Sequence, residues 1–180
     1  MNLRQSLAAV LTTFLLLLGG PSFGAAEDEA VWRPSTPPAA MPDIAIQSLD
    51  GESHHLSDYR GKVVLLSFWA TWCAPCIAEL PTLLETKTAL GADAITILAV
   101  SEDRGGRSEV EKFASRHADI APILSYLDPN RQGARTLGIT IVPTTLLIDR
   151  QGREIGRLTG GADWCAPEWR GRIRDAISAQ

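Results

Sequence analysis

Cys73 and Cys76 stand three positions apart in Trp72-Cys73-Ala74-Pro75-Cys76, directly after the apolar run Val63-Val64-Leu65-Leu66-Ser67-Phe68-Trp69. Two thiols at that spacing, where a strand turns into a helix, are placed for reversible disulfide chemistry. The first turn of a helix offers unpaired N–H groups and a partial positive charge, which favour a thiolate on the first cysteine. The second cysteine lies one turn further in, within reach of a mixed disulfide formed on the first. On this reasoning Cys73 attacks and Cys76, facing inward, resolves. A permanent bridge is another reading, but one that closes so short a loop adds little stability. Half of a zinc site is a third, and it needs two more ligands at paired spacing. The chain offers only Cys165, His54, His55 and His117, in no such pattern.

Other residues take their meaning from this pair. Glu79 follows Cys76 by three residues, so the two share a helix face. A buried Glu79 would have a raised pKa and could exchange a proton with a thiol near neutral pH; a solvated Glu79 would be an ordinary helix residue. Pro143, in Ile141-Val142-Pro143-Thr144, sits at a strand start. Trp72 and Trp164 either line a binding face or fill the core. Cys165 precedes a helix and is either a semi-reactive thiol or a packed one beside Trp164 or Trp169. Trp164-Cys165-Ala166-Pro167 echoes Trp72-Cys73-Ala74-Pro75, but the flanking segments differ, so no repeat is inferred.

The elements that must position these residues are legible in the pattern. Ile44, Ile46 and Leu49 alternate with polar neighbours up to Asp50-Gly51, and Ser53 to Leu56 resumes beyond it, which predicts a β-hairpin. Val63 to Trp69 does not alternate, as expected of a central strand buried on both faces. A helix follows from about Pro75 to Leu90, with Ile77, Leu80 and Leu84 on its apolar face and a kink at Pro81. Ala94 to Val100 predicts a second buried parallel strand. Ser108 and Glu111 form a capping box opening a helix to about His117. Ile123 to Leu127 predicts a short strand, and Asp128-Pro129 an N-cap and first helical position, with Gly138 as the stop. Thr144 to Asp149 and Arg153 to Thr159 form an antiparallel hairpin around Arg150-Gln151-Gly152, and Pro167 to Ile177 a final helix. This order specifies an α/β sandwich with a mixed sheet.

Residues 1–26 carry a basic start at Arg4, an apolar stretch from Leu7 to Leu18, a break at Gly19-Gly20-Pro21 and the small residues Ser22 to Ala26. That is the layout of a secretory signal peptide, cleaved after Ala26 or Gly24, with an uncleaved anchor through residues 7–18 as the alternative. No cysteine near the cleavage region offers a site for lipid. Residues 27–41, rich in Pro, Ala and charge, read as a linker or poorly ordered arm. Residues 42–180 are then one domain of about 140 residues, enough for a real core. The 180-residue chain has a formal charge of −4 and no basic patch, which argues against nucleic acid. Three cysteines in an exported chain suit one working pair and a spare.

With Asp50-Gly51, Leu56-Ser57-Asp58-Tyr59-Arg60-Gly61-Lys62, Phe68-Trp69-Ala70-Thr71-Trp72-Cys73-Ala74-Pro75-Cys76, Glu79-Leu80-Pro81 and Pro143-Thr144-Thr145-Leu146-Leu147-Ile148-Asp149 in this order, residues 42–178 resemble the thioredoxin-like superfamily. The resemblance is closest to its TlpA/ResA-like exported thiol–disulfide oxidoreductases. It implies a thioredoxin fold, a central mixed β-sheet flanked by helices, with an N-terminal β-hairpin extension. It implies a cis peptide at Pro143 lying against the cysteine pair, and a Val142 backbone that pairs with an extended client segment. It places the loop Gly160-Gly161-Ala162 on the same side, with Trp72, Val142 and Gly161 as substrate-binding positions. Ser67 stands where cytosolic thioredoxins have a buried Asp, so Glu79 is the proton acceptor for Cys76. Relatives commonly have Trp-Asp-Ser-Pro where this chain has Trp164-Cys165-Ala166-Pro167, so Cys165 replaces an acidic residue. The segment before Cys73 lacks the features of a peroxide-reducing cysteine.

The implied activity is reduction of disulfides in periplasmic client proteins, with no cofactor beyond the Cys73–Cys76 pair and no metal. The implied partners are clients with disulfides or thiols, in cytochrome maturation or copper-site assembly of a respiratory oxidase. A membrane electron donor such as a thiol–disulfide transporter resets the pair, and the protein is expected to be a monomer. Gly138-Ile139-Thr140-Ile141-Val142-Pro143 departs from the Gly-Val-x-Gly-x-Pro of dedicated cytochrome c thioreductases and favours the TlpA side. A Cu(I)-binding chaperone using the same thiolates is the alternative from another class, and a disulfide oxidase or isomerase keeps the chemistry in the opposite direction.

Overall fold

The computed structural model describes residues 30–91 and 93–179. The expected signal segment, residues 1–26, lies outside the described residues. Eight strands form one sheet: β1 (Val31–Ala40), β2 (Ala45–Ser48), β3 (Ser53–His55), β4 (Val63–Trp69), β5 (Ile95–Ser101), β6 (Tyr126–Leu127), β7 (Thr144–Ile148) and β8 (Arg153–Thr159). The helices are α1 (Ala74–Leu90), α2 (Arg107–Ala114), α3 (Gln132–Thr136) and α4 (Pro167–Ser178). The sheet order is β1-β8-β7-β4-β5-β6-β2-β3, with β4, β5 and β6 parallel and the other pairings antiparallel. This is the thioredoxin-like mixed sheet with its N-terminal hairpin, and it extends by one strand beyond what the sequence indicated.

Strand β4 is buried along its whole length and lies between β5 and β7. Because side chains alternate across a strand, its residues divide between two cores. Val63, Leu65 and Trp69 pack with Leu80 and Leu83 of α1, Val110 and Phe113 of α2, and Ile173 of α4. Val64, Leu66 and Phe68 pack on the other face with Ile46, Ala134, Leu137 and Leu146. Each of these fully buried strand side chains contributes about 2 kcal/mol. The same alternation aims Ser67, between Leu65 and Trp69, at the α1 side.

Several local expectations are corrected. Residues 31–40, expected to be linker, form β1, in which Val31 pairs with Thr159 and Ala40 with Arg153. Pro34, Pro37 and Pro38 are tolerated because β1 is an outermost strand, where missing N–H donors break no ladder. The ordered fold therefore begins upstream of residue 42. The buried face of α1 is Cys76, Glu79, Leu80, Leu83 and Thr86; of the expected apolar residues Leu80 is on it, while Ile77 and Leu84 are only partly buried at its margin, and Pro81 lies within the helix. Gly106, not Ser108, caps α2, without a side-chain bond. The strand expected from Ile123 begins only at Tyr126, after a 3-10 turn at Ala121–Ile123. Asp128 still serves α3, accepting from the backbone N–H of Gln132 and Ala134 at 2.9 Å each, but the helix starts at Gln132 rather than Pro129.

Candidate active site

Strand β4 delivers the chain to Ala70, whose carbonyl accepts from the Cys73 N–H at 3.1 Å, and α1 starts at the next residue. Cys73 is the N-cap, in extended backbone geometry, and its sulfur accepts from the Cys76 N–H at 3.3 Å. The two sulfurs are bonded at 2.04 Å. Cys73 is 5 % exposed and Cys76 is fully enclosed, so Cys73 is the sulfur a partner can reach. The helix N-terminus that the sequence implied thus lies at Cys73.

Glu79 is 2 % exposed and lies one turn below Cys76 on the same face. Three donors surround its carboxylate: Ser67 Oγ reaches Oε1 at 3.3 Å, while Ala162 N and Trp164 Nε1 reach Oε2 at 3.2 and 3.4 Å. Burial is the dominant influence and pushes the Glu79 pKa up to about 7, against the pull of those three hydrogen bonds. The carboxyl therefore sits near the midpoint of its titration at neutral pH.

The Val142–Pro143 peptide is cis, and the Pro143 carbonyl accepts from the Gly160 N–H at 2.9 Å, which ties the β7 start to the loop after β8. Gly161 lies against Pro75: a Cβ there would stand 3.2 Å from Pro75 Cβ and 3.3 Å from Pro75 O. Only a bare backbone leaves that approach to the cysteine turn unhindered. Two clefts share Ile141 and Val142 as a common wall. One, of about 690 Å³, is bordered by Pro75, Glu79, Pro143, Gly161 and Ala30. The other, of about 730 Å³, is bordered by Trp72, Glu102, Arg104 and Arg131. Trp72 is 72 % exposed and Ile141 55 %, an apolar pair on the border of the second cleft.

The structure thus brings Trp72, Cys73, Cys76, Glu79, Val142, Pro143 and Gly161 to one end of the sheet. Trp164 is not on the binding face; it is buried against Trp169 at 5.3 Å. The echo between its segment and that of Trp72 is one of letters only, since one tryptophan is core and the other exposed. Cys165 is half-buried, turned to the Thr82 carbonyl at 3.5 Å and Thr86 Oγ1 at 3.7 Å. The histidines are engaged separately, His54 against Tyr126, His55 with Asp43 and His117 stacked on Phe113.

Sequence reasoning missed Asp103. Its carboxylate accepts from Thr71 N at 2.9 Å, Thr71 Oγ1 at 2.8 Å and Ser101 Oγ at 2.8 Å, and so fixes the residue before Trp72. It also missed Glu102, buried and paired with Arg131. A signal was present, because Ser101-Glu102-Asp103 ends a parallel strand at the carboxyl side of the sheet, where α/β proteins place ligands.

The AhpC/TSA family model matches residues 38–153. The thiol-disulfide oxidoreductase ResA of Geobacillus thermodenitrificans is 40% identical over 122 residues, 68% of this chain and 68% of that protein. The thioredoxin-like protein YneN of Bacillus subtilis is 35% identical over 114 residues, 62% of this chain and 64% of that one. Among solved structures, a Chlorobium tepidum protein assigned as thiol:disulfide interchange protein DsbE superposes with a TM-score of 0.68 at 29% identity, over 78% of this chain and 97% of the other. With the cysteine pair, the cis-proline and the sheet order, these likenesses agree on one assignment. The chain belongs to the AhpC/TSA family and is a thioredoxin-fold thiol–disulfide oxidoreductase of the ResA kind.

Proposed function

We propose that the protein reduces disulfides in exported client proteins. The Cys73 thiolate attacks one client sulfur, forming a Cys73–client disulfide and releasing the other client sulfur as a thiolate that takes up a proton. Cys76 then passes its proton to Glu79 and attacks Cys73 Sγ, so the second client sulfur leaves and Cys73–Cys76 closes. The client gains two electrons and the protein loses them. A membrane thiol–disulfide transporter is the donor that restores the dithiol.

The observation that carries this reading is Glu79, buried beside Cys76 with a pKa near 7, because a resolving thiol deep in the fold needs a neutral-pH acceptor. The exposed Trp72 and the backbone at Val142 beside cis-Pro143 support an extended client segment laid across the disulfide, with Gly161 giving it clearance. Export to the periplasm rests on the composition of residues 1–26, and the protein is taken to act as a monomer. The clients we assign are proteins of cytochrome maturation or of oxidase copper-site assembly.

The test is the reduction potential of the Cys73–Cys76 couple in a Cys165→Ser background. A value near or below about −220 mV supports a reductase, and one near about −120 mV makes the protein a disulfide donor and overturns the direction. Stoichiometric Cu(I) binding by the dithiol without turnover of disulfides would replace the reading with a copper chaperone.

A further inference from the structure

We infer that Trp164 is a positioning residue for the thiol chemistry: its indole N–H and the Ala162 amide hold negative charge on Glu79 Oε2. That leaves Oε1, facing the Ser67 hydroxyl, as the oxygen that takes up and returns the proton. This inference rests on the reading of Glu79 as the acceptor for Cys76.

The donors around the carboxylate are of two kinds. Oε2 receives two N–H groups, from Ala162 at 3.2 Å and Trp164 at 3.4 Å. An amide N–H and an indole N–H donate only, so a proton on Oε2 would face two donors and weaken the bonds they make. Oε1 receives the hydroxyl of Ser67 at 3.3 Å. A hydroxyl donates to the carboxylate and, by rotating, accepts from the acid. The Glu79–Ser67 pair therefore stays bonded in both protonation states, and the Oε2 bonds need not change as the proton comes and goes.

The indole has little freedom to seek another partner. Trp164 is 2 % exposed and tilted on Trp169 at 5.3 Å. The backbone N–H of Trp164 donates to Thr82 Oγ1 at 3.0 Å, and that hydroxyl donates to the Glu79 carbonyl at 2.8 Å. Its carbonyl accepts from Thr86 Oγ1 at 2.9 Å. Positions 79, 82 and 86 of α1 thus clamp the loop on both sides of the tryptophan. A donor fixed in this way favours the charged carboxylate against burial.

The test is titration of 13Cδ-labelled glutamate by NMR in the oxidised protein, with Glu79→Gln to assign the signal. Trp164→Phe keeps an aromatic ring and deletes the N–H. It should raise the Glu79 midpoint by about one pH unit. At pH 7 the carboxylate fraction then falls from about half to about one in ten, and closure of a Cys73 mixed disulfide by Cys76 should slow roughly fivefold and recover at higher pH. If Trp164→Phe does not fold, a benzothienylalanine at position 164 replaces the N–H by sulfur within the same outline. A midpoint unmoved in either folded variant overturns the role of Trp164. A closure rate whose pH profile is unchanged by Glu79→Gln overturns instead the role of Glu79, whatever the midpoint does.

Discussion

Replacing Glu79 by glutamine should make the oxidised protein more stable, and only above a particular pH. The folded protein holds the Glu79 proton up to about pH 7, whereas the ordinary value is 4.5. Below pH 4.5 both folded and unfolded chains carry the proton, so the full stability is present. Between 4.5 and 7 the unfolded chain releases it and the folded chain does not, so stability falls as pH rises. Above 7 the loss is complete. At about 1.36 kcal/mol per pH unit the loss amounts to roughly 3 kcal/mol, and the 2 % exposure of Glu79 leaves little solvent to screen it. A glutamine fits the donors already present: its oxygen accepts from Ala162 and Trp164, and its NH₂ donates to Ser67 Oγ. Urea denaturation of wild type and Glu79→Gln from pH 4 to pH 8.5 at constant salt isolates the group, because other titrations cancel in the difference. The two proteins should agree within about 0.5 kcal/mol at pH 4, and the variant should lead by roughly 3 kcal/mol at pH 8.5. A flat difference, or a variant less stable at high pH, would refute the reasoning.

Three further outcomes are expected. Cys76→Ser should accumulate a mixed disulfide on Cys73 with a thiol reagent or client peptide, read by mass spectrometry, while Cys73→Ser should not; the reverse pattern would exchange their roles. Asp103→Ala leaves the half-buried Thr71 N–H and the buried Ser101 hydroxyl without their acceptor and should cost about 2–4 kcal/mol in urea denaturation, and a loss under about 1 kcal/mol would show that Asp103 does not hold the Trp72 turn. Gly156→Ala sets a Cβ 2.5 Å from Trp32 Cζ2 and 2.8 Å from Arg33 O, so amide exchange in residues 31–33 should speed up at least tenfold; unchanged protection there would mean that β1 is not held as described.

What could be read in advance followed strong local signals. The non-alternating run from Val63 to Trp69 has no arrangement that suits it except the centre of a sheet, and the cysteines after it sit where a strand must turn into a helix. Glu79 was legible from its three-residue offset to Cys76, but its burial was not. A glutamate scored as polar hides the true face of α1, which runs through Cys76, Glu79, Leu80 and Leu83. Strand β1 was illegible because its composition is that of a linker, and only the exposed edge of β8 makes a strand of it. Trp164 and Asp103 act across 85 and 32 residues of sequence, on Glu79 and Thr71. No local pattern reports such distances; they follow from the fold that closes them.

The pairing of Val31 with Thr159 has a practical consequence for handling the molecule. It sets Ala30 against Gly160, whose Cβ position lies 3.0 Å from Ala30 Cα, on the border of the cleft that holds Glu79 and Pro143. The last turn of α4 lies at the other end of the sheet, where the Ile177 carbonyl accepts from Arg150 in the β7–β8 turn. A label or fusion partner joined close ahead of Ala30 would hang over the mouth of the reactive pair and compete with whatever must dock there. Immobilisation through the α4 end would instead hold the molecule by its base and present the disulfide outward.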